Sequence, residues 1–182
     1  MTSETIAQSV LLGQIITFGM AKGIVVITFV LLFASGALST NEPSSKLWLL
    51  GLLMLPLGLT AAFLVPKGLQ SYGIARFRAF ESVQERIASR NPKDRQAWVE
   101  WGDRERLPLP LATLCRAERQ SRLVGQAILD GVGVCNAVFM VISNNPWPLV
   151  AIGIIVFGIL AITPTQGRLR GYFETALDPR LS

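Results

Sequence analysis

The sequence predicts an all-α integral membrane protein, with four transmembrane helices arranged as two tandem helical hairpins. Three observations lead to this fold class: an apolar composition, four stretches close to the length of a membrane span, and an internal repeat. The 182 residues are 51% hydrophobic and 16% charged, with a mean hydropathy of +0.45. An ordinary soluble domain of this length is less apolar.

The apolar stretches follow one another in pairs. A transmembrane helix needs about 20 apolar residues to cross a hydrocarbon core of about 30 Å. The stretches that reach or approach this length are residues 10–38, 47–66, 123–143 and 147–164. Short connections rich in Ser, Asn and Pro, residues 39–46 and 144–146, join the members of each pair. Such turn-forming residues predict two antiparallel hairpins.

An internal repeat supports the same pairing. Residues 8–19 match residues 120–131 at seven of twelve positions, and each copy opens a long apolar stretch. The identical pairs are Gln8/Gln120, Ser9/Ser121, Leu11/Leu123, Gly13/Gly125, Gln14/Gln126, Ile16/Ile128 and Gly19/Gly131. A duplicated hairpin that inserts twice in the same direction gives parallel repeats, related by an axis along the membrane normal.

The first stretch has an alternative interpretation. Lys22, the apolar run at residues 24–33 and the small residues 34–36 resemble a signal peptide. The region before Lys22 is itself apolar and matches the start of the third stretch, which favours a membrane span. Cleavage would leave three spans, with Leu38 near the new N-terminus.

The basic residues predict the orientation. Twelve of the 17 Lys and Arg lie between Lys67 and Arg122. The positive-inside rule places this segment and both termini in the cytoplasm, with the protein in the cell (inner or plasma) membrane. This cytoplasmic position explains the net charge of +5, so no nucleic acid is predicted as a partner. Trp48 and Trp147, which open the second and fourth stretches, are predicted interfacial anchors.

Four segments follow from this organisation. They are a transmembrane hairpin (1–66), a basic cytoplasmic helical linker (67–122), a second transmembrane hairpin (123–165) and a cytoplasmic tail (166–182). In the linker, an amphipathic pattern over residues 69–87 predicts a helix that lies on the membrane surface or continues the second span. A short helix is predicted at residues 93–101, and another leads from Leu111 into the third span.

Catalytic and metal-binding patterns do not emerge from the sequence. There is no histidine, which excludes a His base, His haem ligation and the common zinc sites. The two cysteines, Cys115 and Cys135, are not spaced as a metal cluster or an evident disulfide. Phosphate-binding, calcium-binding and dinucleotide-binding loops are also absent. We therefore predict no enzyme activity, no cofactor and no metal.

Lys22 and Asp130 are the charged residues clearly inside apolar stretches. A charge at bilayer depth costs a few kcal/mol, so these residues form a candidate intramembrane charge pair. By the repeat, Asp130 corresponds to Phe18, one helical turn and about 6 Å from Lys22. The pair could serve transport, or it could only specify how the helices associate. Lys22 could also extend toward the membrane surface.

Small residues beside these charges predict helix packing. Gly19 and Gly23 form a GxxxG pattern, and the equivalent residues Gly131 and Cys135 are also small. Small residues four positions apart allow close helix approach in lipid. A pore or ligand site at such an approach is the alternative. Gln14 and Gln126 are expected to bond each other or to lie among lipid headgroups.

Two functions fit these features. The first is a non-enzymatic scaffold or accessory subunit that acts through helix packing, with the lipid bilayer and a second copy or another membrane protein as partners. The alternative is a small ion- or proton-coupled transporter or channel component that uses Asp130, with Lys22 as its counter-charge. A membrane enzyme, the third class, would need polar residues that converge at the cytoplasmic face.

Overall fold

The regular secondary-structure elements of the described residues are all helices. A computed structural model describes residues 5–35, 46–79 and 109–177. They form five helices: α1 (Ile6–Ser35), α2 (Trp48–Arg78), α3 (Leu109–Ser143), α4 (Pro148–Ala161) and α5 (Gln166–Leu177). The prediction of an all-α protein is confirmed for these residues.

The helix lengths agree with a protein embedded in a membrane. Among the described helices, three are long and apolar enough to cross a bilayer, and they lie within α1, α2 and α3. A fourth span requires α4 and α5 to count together as one bent span. By itself α4 has 14 residues, about 21 Å of helix, which is shorter than a hydrocarbon core of about 30 Å. The structure therefore supports three to four spans.

Local sequence explains where two helices begin. The Thr5 hydroxyl accepts a hydrogen bond from the Gln8 backbone N–H, and the Gln8 side chain accepts one from the Thr5 N–H. This reciprocal capping box satisfies two donors at the start of α1. Before α4, the Asn145 side chain accepts a hydrogen bond from the Trp147 N–H at 3.0 Å, and Pro148 occupies the first turn.

One predicted helix start was wrong, and one predicted span lies within a longer helix. Residue 66 was expected to end a span, and α2 continues as a helix through Pro66 to Arg78, so the end of the span at residue 66 stays a prediction. Prolines are tolerated inside membrane helices where neighbouring groups satisfy the freed carbonyls. Helix α3 begins at Leu109, before Leu111, because Pro110 fits the first helical turn. The helix predicted at residues 93–101 lies outside the described residues.

By its contacts, the chain divides into two compact units. Unit 1 comprises Met1–Gln14, Pro66–Arg122 and Pro164–Ser182, and unit 2 comprises Ile15–Val65 and Leu123–Thr163. Helices α1, α2 and α3 each contribute residues to both units.

For residues 69–87 the sequence left two alternatives, a helix on the membrane surface or a continuation of the second span. The described residues follow the continuation, because α2 runs without a break as far as Arg78.

Unit 2 is a bundle in which α1 and α3 run parallel. Gln126 bonds Thr17, 109 positions earlier in the chain, and Gly133 contacts Ile24 at the same separation. Helices α2 and α4 run antiparallel to α3, because the order of their contacts with it is reversed. Gly51 and Gly58 of α2 meet Asn136 and Val132 respectively. The buried core is Ala21, Ile24, Ala62, Leu129, Val132, Ala137, Ile152, Ile155 and Ile159.

Unit 1 joins the start of α1, the end of α2, the start of α3 and α5. Its buried core is Ile6, Val10, Phe77, Leu114, Cys115, Leu169, Phe173, Ala176 and Leu177. The Arg78 guanidinium donates to the carbonyls of Thr175 and Ala176 at 2.8 and 3.1 Å. A cation is favourable there because the last carbonyls of a helix lack helical partners. We expected residues 166–182 to be a simple tail, but α5 supplies part of this core.

Candidate functional site

Lys22 and Asp130 lie in unit 2 at almost the same height along the bundle. The two contacts that join α1 to α3 have a separation of 109 residues, which makes Asp130 level with Ala21. Lys22 is one residue further, about 1.5 Å along the axis. The difference in height is therefore smaller than the repeat predicts, because the helices pack with a separation of 109 residues rather than the 112 of the repeat.

The structure does not bring the two side chains together. Lys22 is exposed and Asp130 is half-buried, and within the described residues no ion pair joins them. Lys22 is five residues past Thr17, which turns it about 140° away from the contact with α3. Asp130 is four residues past Gln126, about 40° from the contact with α1. The intrachain Lys22–Asp130 pair stays a prediction.

Three of the predicted packing glycines face open space within the chain. A Cβ added at Gly19, Gly23 or Gly131 would meet no atom within 4 Å outside its own stretch of helix. Cys135, the fourth predicted packing residue, is half-buried and carries a free thiol. The outward direction has a simple cause: Gly19 is two residues past Thr17, about 200° around α1 from the contact with α3.

Close helix approaches occur at other glycines. A Cβ at Gly58 would lie 2.5 Å from Val132 Cγ2, and one at Gly133 would lie 3.0 Å from Ile24 Cδ1. Gly51 lies directly against the Asn136 side chain. Small residues therefore do allow close packing in unit 2, but on α2 and on the inner side of α3. Among the described residues, the GxxxG pattern of α1 makes no such close approach.

Polar side chains inside unit 2 were anticipated only in part. Gln126 was expected to bond Gln14 or to lie among headgroups. Its amide donates to the Thr17 hydroxyl at 2.6 Å, and Gln126 is only 2% exposed. Asn136 is fully buried and donates to the Val132 carbonyl at 2.9 Å. Its Oδ1 and the Thr28 hydroxyl have no partner among the described residues. Thr28 is eleven residues past Thr17, about 20° around α1, and this spacing was the available signal.

A buried ion pair in unit 1 was also missed. Glu118 and Arg122, which we assigned to a basic linker, are 6% and 9% exposed and form a salt bridge within α3. The Ser121 hydroxyl donates to the Glu118 carbonyl at 2.7 Å. An (i, i+4) carboxylate–guanidinium pattern was visible in the sequence, but its burial depends on α5.

The predicted anchors stand at the starts of two helices. Trp48 is the first residue of α2, and Trp147 directly precedes α4 and is 60% exposed. Within the described residues, no group of three or more Cys, Asp or Glu could hold a metal ion. Unit 2 thus offers three features: open helix faces at its glycines, two charged side chains that form no ion pair with each other among the described residues, and a group of buried polar side chains.

No protein-family model, curated protein or solved structure matches this chain. Its function therefore has to be argued from its own residues.

Proposed function

We propose that this protein is a non-enzymatic membrane scaffold or accessory subunit that acts by association, beginning with copies of itself. The observation that carries the proposal is an outward face of α1 that combines two features. Gly19 and Gly23 leave open space there, and Lys22 stands beside them without an ion-pair partner in the described residues. An unpaired charge inside an apolar span is costly, and a neighbouring chain can remove that cost.

Asp130 of a second copy is the complementary group. Copies that insert in the same direction keep the same depth, so Lys22 of one and Asp130 of the next differ by about 1.5 Å along the membrane normal. Gly131 lies beside Asp130 and is equally open. The outward face of α1 would then pack on the side of α3 that bears Asp130 and Gly131 in the next copy. Such a head-to-tail contact can close into a ring.

This proposal includes the orientation predicted above. We place the protein in a cell membrane as two tandem hairpins, with the linker, the tail and both termini in the cytoplasm. The parallel direction of α1 and α3, and the antiparallel direction of α2 and α4, support tandem hairpins of one orientation.

The glycine face is tested by measuring association directly. Energy transfer between donor-labelled and acceptor-labelled copies in liposomes should report an oligomer, and Gly19→Ile with Gly23→Ile should weaken it about tenfold or more. Gly153→Ile is the matched control, because Gly153 also lies in an apolar helix and faces open space. Copies that neither associate nor co-purify with another membrane protein in mild detergent would remove the proposal.

A charge exchange tests the intermolecular pair. Copies with Lys22→Asp, and separately copies with Asp130→Lys, should each associate poorly, because each places like charges across the contact. Mixing the two variants should restore association, since every contact in an alternating oligomer then joins opposite charges. An intrachain pair predicts no such rescue, because each variant chain would carry its own like-charge pair.

A second candidate is a proton- or ion-coupled transport component. It is favoured by the placement of Asp130, a half-buried carboxyl in an apolar helix without an ion-pair partner in the described residues. Intramembrane carboxyls of this kind mark proton and ion paths, with Lys22 as the counter-charge. Asp130→Asn should then abolish a proton or ion flux into proteoliposomes. An unchanged flux would reject this role.

A further inference from the structure

A cleft in unit 1 lies between the end of α2 and the start of α3. It has a volume of about 370 Å³, within the range of small-molecule sites. Gly73 sets its floor, because a Cβ there would lie 2.9 Å from the Ala117 Cβ. The two helices therefore approach closely at Gly73, and the longer side chains on either side form the walls.

The lining of this cleft combines two arginines with apolar side chains. Arg76 on α2 and Arg116 on α3 are both exposed, and neither has a carboxylate partner among the described residues. Among the described residues, the lining contains no acidic side chain. Leu69 and Tyr72, which are 40% and 68% exposed, supply the apolar wall, and Gln120 adds an amide. Two free guanidinium groups in such a setting fit an anion with an apolar body.

Two other arginines of unit 1 sharpen this contrast. Arg122 is paired with Glu118, and Arg78 is held by the carbonyls at the end of α5. Those two cations serve the fold. Within the described part of the chain, Arg76 and Arg116 form no ion pair or hydrogen bond that stabilises unit 1, although both line the same cleft.

The position of the cleft along the helices suits a lipid. Arg116 is seven residues before Leu123, where the apolar stretch of α3 begins, which is about 10 Å of helix. Leu69, also in the lining, is three residues past Pro66. Headgroup zones extend about 5–8 Å beyond each side of the hydrocarbon core, and a long arginine side chain can extend toward them. Basic pockets at this depth bind anionic headgroups.

We propose that this cleft binds the phosphate of an anionic phospholipid, held by Arg76 and Arg116, with the lipid body against Leu69 and Tyr72. Guanidinium groups suit phosphate because their fixed N–H donors match its oxygens. The proposal is independent of self-association, since none of these residues lies on the α1 face described above.

The test uses the full chain in a nonionic detergent. Native mass spectrometry and thermal unfolding would be recorded with phosphatidylglycerol, phosphatidylcholine and inorganic phosphate as separate probes. We expect saturable binding of phosphatidylglycerol and a higher unfolding temperature. Arg76→Gln with Arg116→Gln should lower the affinity about tenfold per guanidinium, and added salt should weaken binding further.

A matched variant controls for net charge. Lys46→Gln with Lys67→Gln removes the same number of charges from exposed positions outside the cleft, and it should retain the lipid. Equal loss in both double variants would overturn the site in favour of general surface attraction. Inorganic phosphate that binds as well as the lipid, with the same arginine dependence, would overturn the lipid as the occupant. Equal binding of phosphatidylcholine would overturn the role of the negative charge.

Discussion

Unit 1 and unit 2 are stabilised by different chemistry, although three helices contribute to both. In unit 2, close contacts form where glycine lets another helix approach, as at Gly58 and Gly133. Unit 1 also has such an approach, at Gly73, and adds guanidinium groups that make specific bonds, as Arg78 does with the end of α5. Packing in lipid depends on small residues because apolar surface gains little by leaving lipid. In water, apolar burial itself stabilises, and charged groups can be added at the edge of a buried core.

The largest expected effect is in unit 1. Glu118→Ala should lower the free energy of unfolding by about 3–5 kcal/mol, because it leaves the Arg122 guanidinium buried without its carboxylate. Denaturant titration in mixed micelles measures the loss, and hydrogen exchange should locate it in unit 1. The exposed Glu174 offers a matched control, and Glu174→Ala should change stability by less than about 0.5 kcal/mol.

A double variant separates the pair from its burial. Glu118→Leu with Arg122→Met removes both charges and should be less destabilised than Glu118→Ala alone. A double variant that is worse than the single one would mean that the ion pair itself stabilises unit 1.

The next effect belongs to unit 2. Gly51→Val places side-chain atoms where the Asn136 side chain lies, and overpacking of this kind costs about 1–3 kcal/mol. Gly153→Val is the control, because Gly153 has open space around it. Hydrogen exchange should increase in unit 2 for Gly51→Val. An equal loss in the two variants would show that helix propensity, rather than close approach, is being measured.

The smallest effect concerns the buried hydrogen bond between Gln126 and Thr17. Gln126→Leu removes the donor, and such bonds between membrane helices contribute about 0.6 kcal/mol on average. A double-mutant cycle with Thr17→Val measures the coupling between the two side chains. A coupling near zero would indicate that the parallel register of α1 and α3 rests on packing alone.

The sequence predicted unit 2 better than unit 1 for a physical reason. Each apolar stretch predicts its own membrane helix, because a segment in lipid must form its backbone hydrogen bonds internally. Unit 1 instead assembles short polar helical segments that are distant in the sequence. Its core pairs Ile6 with Phe77 and Leu169 in one cluster, and no local pattern reveals such long-range contacts. The burial of Glu118 was missed for the same reason.

Among the candidate site residues, the sequence identified the charged and small residues inside the apolar stretches, but not the side of the bundle that each residue faces. Lys22, Asp130 and the glycines were identified from composition and spacing alone. The repeat suggested a separation of 112 residues between equivalent positions, whereas the helices contact each other at 109. A shift of three residues turns a helix by about 300°, so faces inferred from the repeat point elsewhere in the bundle.

The core of unit 1 can be completed only late in synthesis, because its segments are far apart in the sequence. Its core needs residues near Ile6, near Phe77, near Leu114 and in α5. The apolar side chains near Ile6 are therefore fully covered only after residue 177 has been synthesised. A chain interrupted before α5 lacks Leu169 and Phe173 and leaves Ile6 and Phe77 without these neighbours. Interrupted chains would thus expose an apolar surface that chaperones and proteases recognise.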